Sequence, residues 1–163
     1  MTVKELIINQ LQASKWLFDS FSKDFSDADA QVQPCENGNH LNWMFVHMAV
    51  SEDSMIATLT GQPKKLSEAL HKAYGGGSTC MADDGMTRAE ALKLYSESLN
   101  RTLDFVKTFV ESRYDDKAPA GFPPLFPTVG SVIGLLAAHP FWHIGQLTVN
   151  RQVLKKPRVL GPG

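Results

Sequence analysis

Apolar residues recur at helical spacing in four long stretches of this chain, and no stretch alternates long enough to demand a strand. The first stretch runs from about Val3 to Phe21, with a stripe of Ile7, Leu11, Leu17, Phe18 and Phe21. Thr2 and Glu5 stand three apart at its start, the spacing of a capping box. The second runs from about His40 to Thr60 and takes its apolar surface from Leu41, Met44, Val46, Met48, Ile56 and Leu59. Asn39 reads as its N-cap, and Gly61 with Pro63 stops it. The third opens on another capping box, Thr87 with Glu90, and continues to about Glu111. Its stripe is Ala91, Leu92, Tyr95, Leu99, Leu103, Val106 and Val110. The fourth spans about Ser131 to Leu154 and carries Val132, Ile133, Leu136 and Leu147. Pro140 lies inside it, and an interior proline removes one backbone hydrogen bond, which predicts a local bend or a break.

The connections are unequal. Gly61 to Met86 is long, with a short helix expected at Leu66 to Tyr74, followed by Gly75, Gly76 and Gly77. Ser112 to Thr128 is also long, and Pro119, Pro123, Pro124 and Pro127 give it an extended path. Four helices joined this way predict an all-α four-helix bundle with long crossover connections, lying outside the bundle, rather than simple up-down-up-down order. The expected organisation is one domain over residues 1–163, with a tail confined to Lys155 to Gly163.

Composition narrows the function classes. With 43% hydrophobic and 20% charged residues and a formal net charge of −1, the chain reads as globular, and its scattered Lys and Arg residues leave no footprint for nucleic acid. The longest apolar stretch, Val129 to Leu147, contains His139, Pro140, His143 and Gln146, so it reads as a buried helix rather than a membrane span. The start at Met1 lacks the layout of a signal peptide. Cys35 and Cys80 match no zinc or redox spacing, and the cytoplasm, with both thiols reduced, is the simplest location.

The chemistry lies in the histidines. His139 and His143 are four apart in the fourth segment, so both imidazoles share one face with Leu136 and Leu147. An inward face cannot leave two polar rings unsatisfied. A shared divalent cation would satisfy them, as would hydrogen bonds to carbonyls, though a helix offers few free carbonyls in its middle. His47 in the second segment is the third candidate ligand. His40 lies on nearly the same face, but seven residues span about 10.5 Å of helix axis, so it caps the helix or lines the mouth of the site instead. Trp43 shares the His47 face and reads first as a core residue, while Gln146, three after His143, is a candidate to orient an imidazole or a bound water. Glu52 and Asp53 fall on neither the i±3 nor the i±4 position of His47. A zinc peptidase is excluded, because no Glu follows His139. Three nitrogens with open positions suit zinc, nickel or iron(II).

Two runs carry a resemblance. Asn39 to Ala49, with Ser51 and Glu52, resembles the second-helix signature of the DinB-like family of metal-binding four-helix bundles. His139 to Leu147, ending in Gly145-Gln146-Leu147, resembles the fourth-helix signature of the same family. The two lie in the right order, and the likeness spans nearly the whole chain. It implies a four-helix bundle with a long crossover, a homodimer, and a divalent metal on His47, His139 and His143. It also implies a link to proteins that transfer low-molecular-weight thiols such as bacillithiol, mycothiol or glutathione, or that isomerise substrates with a thiol's help, like maleylpyruvate isomerase. Many other members have no assigned activity.

Three functions follow as expectations. The first is a metal-dependent thiol S-transferase, in which a small-molecule thiol loses its proton at the metal and attacks an electrophilic substrate. The second is a metal-dependent hydrolase, for which no general base is evident near the histidines. The third is a non-catalytic bundle that binds, senses or stores its ion. Apolar residues outside the third stripe, Phe105 and Phe109 among them, add to the homodimer expectation.

Overall fold

The computed structural model describes residues 1–81 and 83–161, leaving Ala82, Pro162 and Gly163 outside the described residues. It is all helical: α1 (Val3–Ser22), α2 (Asp27–Ala30), α3 (Leu41–Thr60), α4 (Glu68–Tyr74), α5 (Arg88–Thr108) and α6 (Val129–Val153), with a 3₁₀ turn at Glu111–Arg113. Among the described residues the only β-type pairing is a single antiparallel bridge between Lys117 and Thr128.

The long helices α1, α3, α5 and α6 form the bundle. Helix α3 packs on α5 and α6, and α1 packs on the same two, so α1 and α3 face each other across a diagonal. The connections 23–40 and 109–128 therefore cross the bundle ends, which explains their length. Phe18, Phe45 and Tyr95 tie α1, α3 and α5 together at ring separations of 5.2–5.6 Å. Each such aromatic pair contributes about 0.5–1.5 kcal/mol beyond its buried area.

Both predicted capping boxes are present, Thr2 with Glu5 and Thr87 with Glu90. The α3 cap differs from expectation. His40, not Asn39, holds the N-cap position and accepts the Trp43 amide at 3.1 Å through Nδ1. Gly61 ends α3 with φ +69°, the left-handed conformation that Gly adopts without a Cβ penalty.

Helix α5 stops at Thr108, short of Glu111, because Phe109 turns extended at the C-cap. This corrects two expectations. Val110 leaves the stripe and is exposed, whereas Phe109 turns into the core and Phe105 packs against it. Neither phenylalanine is a free apolar surface.

Helix α6 runs through Pro140 without a break. Its start is pinned by the connection before it: the Gly130 amide donates to the Tyr114 carbonyl at 2.8 Å, and a Cβ at Gly130 would meet that oxygen at 2.9 Å. The Pro-rich connection thus folds back on itself, with Ala118 and Pro127 bonded at 2.9 Å, instead of staying extended.

The first half of α3 is the centre of the molecule. Every residue from Leu41 to Val50 is buried, so this segment is not amphipathic. The 61–86 connection covers its outer side: α4 packs on α3, the Asn42 side chain donates to the Met86 carbonyl at 2.7 Å, and His40 Nε2 meets the Met81 carbonyl at 2.8 Å.

Candidate metal centre

Helices α3 and α6 are neighbours, and their facing sides bring His47, His139 and His143 together. One nitrogen from each lies within 4.8 Å of the others. The i, i+4 spacing on α6 brings two of the rings together edge-on at 4.8 Å, and His47 approaches both edge-on at centroid distances of 5.2 and 4.9 Å.

Hydrogen bonds fix which nitrogens face inward. His47 Nδ1 donates to the Tyr74 carbonyl at 2.7 Å, at the end of α4. His143 Nδ1 donates to Gln146 Oε1 at 2.9 Å, and Gln146 is itself held by the Asn39 amide at 3.1 Å. Carbonyl acceptors on Nδ1 leave Nε2 of both rings unprotonated, and Ser51 Oγ lies 3.4 Å from that of His47. His143 Nε2 then lies 3.0 Å from His139 Nε2. His139 Nδ1 is buried without a partner.

These features fit a cation. Ligand nitrogens of a tetrahedral zinc-like ion stand about 3.4 Å apart, which follows from bonds of about 2.1 Å. The cluster brackets that value, with 3.0 Å between the α6 pair and at most 4.8 Å overall. The donors are all nitrogen, with no thiolate or carboxylate in the cluster. Electrostatics agree. Burial, then the neighbouring His143 and His47, pushes His139 down to about 3. Burial and His47 push His143 down to about 4, against the Gln146 bond. Burial also lowers His47, against its bond to Tyr74. All three are neutral at pH 7, the form that ligates a metal.

The other sequence candidates take supporting places. Trp43 is buried and stacks on the His47 ring at 4.4 Å with planes 9° apart, which joins core packing to positioning of that ring. Gln146 orients His143. His40 is fully buried at the α3 cap, so it does not line the mouth.

One side of the cluster opens. His47 and His139 line a cavity of about 380 Å³. Ser51, Ser54 and Thr58 border it from α3, Leu135 and Trp142 from α6, Gly75 and Gly76 from the end of α4, and Phe122 and Phe126 from the folded-back connection. The hydroxyl residues follow His47 at i+4, i+7 and i+11, the same helix face, a spacing that the sequence carries. Phe122 and Phe126 carry no such periodic signal.

The family model described as the DinB superfamily matches residues 10–147 of this chain. A solved structure, described as the crystal structure of a conserved protein from Enterococcus faecalis, is 18% identical to it, with a TM-score of 0.75, and the match covers 96% of this chain and 99% of that one. At that identity the likeness establishes the fold alone. No curated protein matches the chain.

Proposed function

This chain belongs to the DinB superfamily by its match over residues 10–147, and from that membership and the histidine cluster we propose that it binds one divalent cation on His47, His139 and His143 and uses it for thiol S-transfer. The observation that carries the reading is the open side of the cluster, where His47 and His139 face a cavity large enough for a small molecule. Bound there, a zinc, nickel or iron(II) ion would supply Lewis-acid chemistry that lowers the pKa of a small thiol.

The protein's own groups do the rest. Gln146 and the Tyr74 carbonyl hold two imidazoles in the ligating tautomer. Phe122, Phe126, Leu135 and Trp142 give the cavity apolar walls that suit an uncharged electrophile and displace water from it. Neither cysteine is placed to serve as the nucleophile. Neither lines the cavity beside His47 and His139: Cys35 is exposed, and Cys80 is buried, with its thiol pKa raised by that burial.

A hydrolase reading finds support in Ser51, whose Oγ lies 3.4 Å from His47 Nε2 and stands where a water could be oriented. The two separate in one assay. Metal-loaded protein is offered monochlorobimane with a panel of small thiols, and p-nitrophenyl acetate without any thiol. Conjugation that needs one added thiol and disappears on chelation supports transfer. Metal-dependent ester turnover with no thiol dependence replaces it with hydrolysis.

A further inference from the structure

A second hydrogen-bonded set, left unused by the metal reading, reaches the same cavity through one of its members, Ser54. Asp53 and Ser54 are neighbours on α3, and His71 reaches both from α4. His71 Nε2 lies 3.0 Å from Asp53 Oδ2, and His71 Nδ1 lies 3.1 Å from Ser54 Oγ. Asp53 is buried and also accepts the backbone amides of Lys65, at 2.9 and 3.0 Å, and Leu66, at 3.0 Å. Burial works to raise its pKa, but the Leu66 and Lys65 amides, with His71, outweigh burial and hold the carboxyl below its ordinary value. An ionised Asp53 accepts the hydrogen bond of the His71 Nε2–H, which keeps the proton on that nitrogen. Nδ1 is then an acceptor, and the Ser54 hydroxyl is its donor.

The plain role of such a chain is to clamp α4 onto α3. Asp53 already does that through the two amides and the ring. Ser54 adds something a clamp does not require: a half-buried hydroxyl at the cavity wall. A nucleophile within hydrogen-bond reach of a base, itself oriented by a third group, is the arrangement that activates serine for attack.

We propose that Ser54, His71 and Asp53 form a nucleophilic site of their own, which takes acyl groups from uncharged esters entering the cavity. Substrate class follows from the walls. No Lys, Arg, Asp or Glu is among the described residues lining the cavity, and Val50, Met55, Phe122, Phe126, Leu135 and Trp142 are apolar or aromatic. A charged acyl group would lose its hydration there without gaining a partner.

In the step, the Ser54 oxygen bonds to the acyl carbon as its proton passes to His71 Nδ1. The ester bond to the leaving oxygen then breaks, and the same proton goes to that oxygen, releasing an alcohol. Water repeats the sequence on the acyl-Ser54, giving the carboxylic acid and free serine. Asp53 is a positioning residue that keeps the ring in the accepting tautomer. Ser51, one turn earlier on α3 and also at the cavity, turns its hydroxyl from His47 Nε2, 3.4 Å away, to the developing oxyanion.

This site does not depend on a metal, and the test uses that. The full chain, as purified and after chelation, is treated with diisopropyl fluorophosphate, and the adduct is mapped by peptide mass spectrometry. The expected result is one adduct on Ser54, formed equally in both preparations and absent in Ser54→Ala. His71→Gln should be labelled about a hundredfold more slowly, the scale of a lost general base. Mapping in the unaltered chain decides the matter even if that variant folds poorly. No adduct, an adduct elsewhere, labelling that vanishes on chelation, or a His71→Gln rate equal to wild type overturns the proposal. Ester hydrolysis that needs metal and leaves no acyl-Ser54 also overturns it, while leaving a cation on the three histidines in place.

Discussion

His143 Nε2 and His139 Nε2 face each other at 3.0 Å from adjacent turns of one helix. With the His143 Nδ1 proton given to Gln146, its Nε2 lone pair points at the other ring, where it needs a proton or a cation between. Ligand binding to the folded state alone stabilises a protein by about 4 kcal/mol at a thousandfold excess over Kd. Added zinc or nickel is therefore expected to raise the thermal midpoint of the chelated wild-type protein. His139→Ala and His143→Ala should each lose most of that rise in calorimetry, while His40→Ala should keep it.

Gln146 carries a second expectation. Its carboxamide is exposed and touches the site only through His143, so Gln146→Leu should fold normally. Loss of such an orienting partner lowers metal affinity about 10- to 100-fold. Competition titration against a chromogenic chelator measures this directly. Unchanged affinity would remove Gln146 from the site.

Acid should weaken the metal-free fold through the same histidines. Their folded pKa values, about 3 for His139 and about 4 for His143, lie below the ordinary 6.5. The unfolded chain then binds more protons, so the stability these groups contribute is present above pH 6.5 and lost as pH falls through 4 and 3. Urea titrations of chelated protein from pH 7 to 4 should show a declining midpoint. The decline should be shallower in the His139→Ala, His143→Ala double variant.

Glu52 acts in the opposite direction. It is fully buried between α3 and α5, where burial lifts its pKa from 4.5 to about 7 against the Thr102 bond, the Ser98 bond and the Arg101 charge. A raised folded pKa favours the fold below pH 4.5, and that benefit disappears as pH rises through 7. The gap corresponds to about 3 kcal/mol at alkaline pH. Glu52→Gln should therefore be more stable than wild type at pH 8.5, by an amount of that order, and nearly equal to it at pH 5. Parallel denaturation curves at the two values check it.

Much of this was legible in the chain because its signals are local. Capping boxes at Thr2 and Thr87, the His139 to His143 spacing and the glycine stop at Gly61 depend on near neighbours only. The expected short helix at Leu66 to Tyr74 appears as Glu68–Tyr74. What stayed hidden depends on distant pairing. Tyr74 supports His47 through a backbone carbonyl, which no side-chain pattern announces. His71 gains its meaning from Asp53, 18 positions earlier, through a loop whose path the sequence leaves open. Phe109 falls on the surface of a helix carried to Glu111, but the helix ends at Thr108, and the turn Phe109 makes there is tertiary in origin.

A cation shared by three histidines fixes the metal content of the purified protein. Full-length protein, purified without chelator and exchanged through metal-free buffer, is analysed for zinc, nickel and iron beside the His47→Ala, His139→Ala, His143→Ala triple variant. The expected result is about one divalent ion per wild-type chain and almost none in the variant, whose site has lost all its nitrogen ligands. Equal metal content in the two proteins would contradict it.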